Sequence, residues 1–141
     1  MVIVIDPQIA GISGDMLLSS LIDLGADKNE IINSIKKTEK FLSGSTIKKI
    51  DFQKTKKHGI ESTELILEID ENISKRKGIE IKKAILDSVN ELNLSIKAKT
   101  FAESCINTLI SSESKIHGIN EDSVHFHEAS SIDTLIDIVG V

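Results

Sequence analysis

Apolar residues recur with two periods along this chain, and the switches between them mark out helices and strands. Residues 2–5 (V-I-V-I) form a short continuous apolar run closed by Asp6 and Pro7. Such a run predicts a buried strand, central in its sheet. A loop over residues 8–15 follows. Met16, Leu17, Leu18, Leu21, Ile22 and Leu24 then recur at helical spacing up to Gly25, a suitable C-terminal stop. Residues 27–37 predict a second helix, with Asp27 as cap, Glu30 as its capping-box partner, and Ile31, Ile32 and Ile35 as the stripe.

Residues 46–56 alternate only loosely. Ile50 and Phe52 are in phase, Ile47 is not, and Lys48 stands where an apolar residue would complete the pattern. The segment is rich in lysine and reads as an edge strand guarded by charge. His58-Gly59-Ile60 makes a turn, and residues 64–70 (E-L-I-L-E-I-D) alternate cleanly, so residues 46–70 predict an antiparallel hairpin. Residues 71–78 are polar and read as a mobile connection. Residues 79–92 and 95–117 carry two further amphipathic stripes, the second ended by Gly118.

The last stretch, residues 124–140, runs V-H-F-H-E-A-S-S-I-D-T-L-I-D-I-V-G. If His125, Phe126 and His127 are extended, the two imidazoles share one side and Phe126 points to the other, towards a core. Ile132, Leu135, Ile136 and Val139 then form a helical stripe, which puts Asp133 and Asp137 together on its wetter flank. Ser130 or Ser131 can cap that helix, with Asp133 in its first turn. Imidazole and carboxylate together suit a divalent transition metal. A solvated edge strand followed by a soluble helix flank would read the same way, and both readings stand at this point.

Composition narrows the classes. The chain has 141 residues, enough for one ordinary domain. Aromatic residues make up 3% with no Trp or Tyr, so the core is aliphatic. The net charge of −5 and the scarcity of stacking rings argue against a nucleic-acid surface. The single cysteine, Cys105, permits no internal disulfide and reads as a small core residue. No apolar run reaches membrane-spanning length and no signal peptide opens the chain, so a cytoplasmic protein is expected. The apolar end at residues 138–141 suggests a fragment of a longer protein or an end buried against another subunit, a homo-oligomer included. The expected fold is α/β: one small mixed sheet of about four strands with helices packed on it, in a single domain over residues 1–141.

The loop Gly11-Ile12-Ser13-Gly14-Asp15 joins the first predicted strand to a helix, a usual place for an anion site. Gly11, Ser13 and Gly14 are its candidate ligand contacts. As bare spacing the signal is weak, since Ser13 could simply cap the helix with Asp15 complementing its dipole. Asp6 ends the strand at the same edge. It could join Asp15 and the histidines around one ion, or only bond the loop backbone. His117, beside Gly118, reads as a partner of the helix's last carbonyls. His58 reads as structural or solvated.

Four segments carry a resemblance: D-P-Q-I-A-G-I-S-G-D-M (residues 6–16), K-x-H-G-I (56–60), K-I-H-G-I (115–119) and the histidine stretch 124–140. Together they resemble the LarC family of nickel-insertion proteins, the pyridinium-3,5-bisthiocarboxylic acid mononucleotide nickel chelatases. The resemblance implies a lyase-type insertion of Ni2+ into that mononucleotide, giving the nickel pincer nucleotide. It also implies that this chain is the N-terminal part of a longer protein, whose C-terminal half is its partner and binds CTP with Mg2+ or Mn2+. The family's histidine-rich tract after the hairpin is missing here, where residues 72–78 hold no histidine. The candidate metal ligands are therefore His125, His127 and Asp137, with Asp6, Asp15, Glu128 and Asp133 as catalytic candidates. A non-catalytic assembly module and a small metal-dependent phosphohydrolase are the rival readings.

Overall fold

The computed structural model describes residues 2–8, 11–127 and 130–141. Helix α1 (Gly14–Asp23) is followed by α2 (Lys28–Thr38), which Asp27 caps by accepting from the Asn29 and Glu30 amides at 2.8 and 3.0 Å. The long hairpin strands β1 (Ser45–Lys57) and β2 (Ile60–Glu71) come next, paired antiparallel. A two-residue turn at His58 and Gly59 joins them, both in the left-handed region at φ 52° and 84°, as a twisted hairpin favours.

The loose alternation of β1 has a concrete cause. The register runs from Ile47 opposite Ile69 directly to Lys49 opposite Glu68, so a bulge takes up Lys48. Ile47 on one side of the bulge, and Ile50 and Phe52 on the other, all reach the core in spite of their mismatched phase. Lys48 pairs outside with Asp70 at 2.9 Å.

Strand β3 (Arg76–Lys77), helix α3 (Gly78–Glu91), helix α4 (Ile96–His117), strand β4 (His125–Phe126) and helix α5 (Ile132–Gly140) complete the chain. The α/β class and the count of about four strands hold. The strands lie in two antiparallel ladders, β1 with β2 and β3 with β4. The core sits around α5, which touches each of the other four helices. A nine-residue helix is marginal alone, so its stability comes from packing. Ile132, Leu135 and Ile136 are fully buried with Leu18, Ile35, Ile81, Ile85 and Ile106. Each such side chain contributes about 1.5–3 kcal/mol on burial.

Two expectations are corrected. Residues 2–5 do not form a buried strand: they have no ladder partner among the described residues, and Val2 and Val4 are 88% and 84% exposed. A continuous apolar run signals that a segment needs cover, not that the cover lies in the same stretch of chain. Nor are residues 71–78 a loose polar connection. Arg76 is 5% exposed and anchors the second ladder, because its guanidinium finds four partners inside. No helix among the described residues is long and apolar enough to cross a membrane.

Candidate functional site

Strand β4 is short, but its alternation is enforced from both ends. Arg76 faces Phe126 and Lys77 faces His125 in the ladder, and the Gly78 amide donates to the Val124 carbonyl at 2.9 Å. Phe126 is 2% exposed, while His125 and His127 are exposed on the other side, as the period of two predicts. A Cβ on Gly78 would meet Ile110 at 3.0 Å and the Phe126 ring at 3.5 Å, so glycine lets the strand seat against α4.

A third imidazole joins these two. His117, His125 and His127 line one open pocket of about 320 Å3, with Ile119 as its apolar wall. The turn between α4 and β4 brings them together. Gly118 takes φ 62°, the Ile119 amide donates back to the Ser114 carbonyl at 3.1 Å, and the Ser114 hydroxyl donates to the Ile119 carbonyl at 2.6 Å. A 3-10 turn at Glu121–Ser123, capped by Asn120, then delivers buried Val124 to the strand. His117 does not bond the last helical carbonyls. Its Nε2 lies 3.3 Å from a Glu113 carboxylate oxygen. The one signal available in the sequence was the brevity of the connection between His117 and His125.

The carboxylates form a separate group. Asp15, in the first turn of α1, interacts electrostatically with both Asp133 and Asp137 on α5. Burial and then the Asp15 charge raise the Asp133 pKa. Burial, followed by the Asp133 and Asp15 charges, pushes Asp137 up to about 6. Asp137 Oδ1 is buried without a hydrogen-bond partner among the described residues. The loop and the C-terminal stretch therefore do converge, but at the acids. The lining of the imidazole pocket includes none of the loop residues.

Ser13 stands at the N-cap of α1 without capping it. Its hydroxyl donates to Asp15 Oδ1, which also accepts from the Met16 amide at 2.8 Å. Gly14 is required because a Cβ there would overlap the Cβ and Cγ of Asp137. Three acidic side chains at a helix start attract a cation more readily than a free anion. Gly11 takes φ 72° and donates to the Pro7 carbonyl at 2.9 Å. Asp6 accepts from the Gln8 amide at 3.0 Å, the loop role open to it from the sequence, and lines an apolar groove with Gly11, Ile12 and Met16. Glu128 lies outside the described residues.

One hub joins the two groups. The Arg76 guanidinium donates to Glu71, to the Ser45 hydroxyl and to the Ser43 and Ser130 carbonyls. Glu71 in turn accepts from the Ser131 hydroxyl at 3.1 Å, and Ser131 caps α5 by accepting from the Asp133 amide at 3.3 Å. Burial opposes ionisation of Glu71, but hydrogen bonds from Ser45, Arg76 and Ser131 outweigh it and hold its pKa below the usual value. β3, which orders the histidine strand, and α5, which carries the acids, thus share one buried ion pair. Cys105 is half-buried and burial raises its thiol pKa, as befits a packing residue rather than a nucleophile.

Among the described residues no three His, Cys, Asp or Glu side chains are gathered into metal-coordinating geometry. The imidazoles are neighbours around an open pocket, and the acids are neighbours at a helix start.

The chain is 38% identical over 133 residues to a Staphylococcus epidermidis protein named pyridinium-3,5-bisthiocarboxylic acid mononucleotide nickel insertion protein, covering 93% of this chain and 31% of the relative. Relatives of the same name from Akkermansia muciniphila and Geobacillus kaustophilus are 35% and 34% identical over 139 and 136 residues, covering 93% and 92% of this chain and 32% of each relative. The chain thus spans about a third of the length of the curated relatives it matches. No solved structure matches it. The family described as nickel insertion protein matches residues 3–141, and the chain belongs to that family.

Proposed function

We propose that this chain holds nickel for insertion into pyridinium-3,5-bisthiocarboxylic acid mononucleotide, as the N-terminal part of a longer metal-inserting enzyme of the lyase type. The observation that carries this reading is the exposed pair His125 and His127, kept on one side of β4 by the burial of Phe126, in a chain of the nickel insertion family. Nickel is the cargo and the mononucleotide is the acceptor. Imidazole nitrogen and carboxylate oxygen hold the ion loosely enough to release it to the acceptor's softer thiocarboxylate sulfurs. The ion's oxidation state does not change in the handover, and the histidines take up their free form again.

In this reading Asp137 offers nickel a carboxylate at the acid group, apart from the imidazole pocket, while Asp6, Asp15, Glu128 and Asp133 serve the transfer. Gly11, Ser13 and Gly14 receive the phosphate of the mononucleotide at the start of α1. The acids gathered there impose an order: phosphate gains from the helix start only once a cation has offset their charge. CTP, with Mg2+ or Mn2+, belongs to the portion of the protein beyond this chain.

Residues 2–5, exposed and without a ladder partner among the described residues, with Met16 and Leu24 exposed nearby, support docking of that portion as an added strand. Titration of Ni2+ into the tag-free chain, compared with a His125→Ala/His127→Ala variant, tests the metal half of the proposal. The expected result is loss of the tightest site. Equal binding would remove both histidines from the role. A chain that binds no nickel, yet gains solubility with the remaining portion, would be an assembly module instead.

A further inference from the structure

We propose that His117 is the third nitrogen donor of the metal pocket formed with His125 and His127. The inference rests on the reading that nickel is held at the histidine strand, and it adds a residue from a different element, the last turn of α4. Three of the chain's four histidines face one pocket of about 320 Å3, walled by Ile119. Nothing in their local sequence requires this. The Gly118 reversal and the capped turn at Glu121–Ser123 bring the α4 end back to β4.

Hydrogen bonding prepares one of the rings for a metal. His125 Nδ1 lies 2.9 Å from the Ser123 carbonyl oxygen. A carbonyl only accepts, so Nδ1 carries the proton and Nε2 keeps its lone pair for a ligand. This is the arrangement in which a backbone carbonyl orients a metal-binding histidine. His117 Nε2 lies 3.3 Å from a Glu113 carboxylate oxygen, which gives the ring an acidic neighbour. The rings line the pocket without meeting, and the His117 side chain is 58% exposed. All three side chains are exposed, so gathering the rings around an ion asks only for rotamer changes at the surface. Neutral imidazoles with no thiolate select borderline divalent ions and release them to sulfur donors, which suits a handover site. Three donors also leave positions open for an incoming acceptor.

The test uses the tag-free full chain with Ni2+ alone for affinity and Co2+ alone as a spectroscopic probe. Variants are His117→Ala, His125→Ala/His127→Ala and His58→Ala. His58 is the control, since it sits in the other K-x-H-G-I segment, at the hairpin turn. The expected result is one Ni2+ per chain, at least tenfold weaker binding in His117→Ala, and no change in His58→Ala. The cobalt-shifted imidazole N–H signals should fall from three to two in His117→Ala, with metal-free thermal stability unchanged. Parent-like binding in His117→Ala, with loss in the double variant, overturns the third donor and leaves the histidine-pair reading standing. Parent-like binding in every variant overturns both. An equal loss in His58→Ala would show diffuse surface binding and also overturns the inference.

Discussion

Gly14 and Asp137 touch so closely that the glycine's missing side chain is where the aspartate's Cβ and Cγ lie. This contact joins the start of α1 to the middle of α5, and it sets the distance between the loop and the acids. Gly14→Ala is therefore expected to destabilise the fold by about 1–3 kcal/mol through overpacking, although alanine is ordinarily the better helix residue. Asp137→Ala should not rescue it, because the offending Cβ remains. Urea denaturation of the two single variants and the double variant measures this. A neutral or stabilising Gly14→Ala would refute the contact.

The ionisation of Asp137 carries a stability signature. Its pKa lies at about 6 in the fold, against 3.8 for the unperturbed group, so the fold favours the protonated form. That contribution is fully present below pH 3.8 and is lost as pH rises through about 6. Asp137→Asn should therefore be more stable than the parent at pH 8, by roughly 1 kcal/mol once solvent screening of a partly exposed group is allowed for. The difference should shrink to nothing in acid. Paired melting curves across pH 4–8 decide it, and an asparagine variant less stable at pH 8 would reverse the sign.

Arg76 is expected to be the costliest polar residue to remove. Arg76→Met leaves Glu71 in a half-buried position without its cation, a loss of about 3 kcal/mol or more. Arg76→Lys should recover less than half, since one ammonium cannot reach Glu71, Ser43, Ser45 and Ser130 together. Arg76→Met combined with Glu71→Gln should recover much of it, because no unpaired charge is left. Denaturation midpoints check the energies. Amide exchange at Phe126 checks the structural consequence, and it should rise in Arg76→Met because β3 is the ladder partner of β4.

How far the chain could be read in advance differs from residue to residue. Asp27 and Ser131 cap their helices as their positions suggest, and Gly118 ends α4 in the left-handed region. Phe126 points inward and its flanking histidines outward, because a strand has only two sides. Lys48 looked like a broken pattern, since a bulge is defined by the partner strand and not by the strand that carries it. Arg76 looked like loop polarity, since its four partners are spread from residue 43 to residue 130.

The sequence by itself determined the helices, the hairpin and the outward aim of His125 and His127. Caps, periods and turn residues act over a few neighbours, and those neighbours are written in order. Only the tertiary structure decided that His117 faces the histidine strand, that Asp15 meets Asp133 and Asp137, and that residues 2–5 stay uncovered. Those outcomes depend on which apolar stripes pack together around α5, and packing brings together residues that no local period relates.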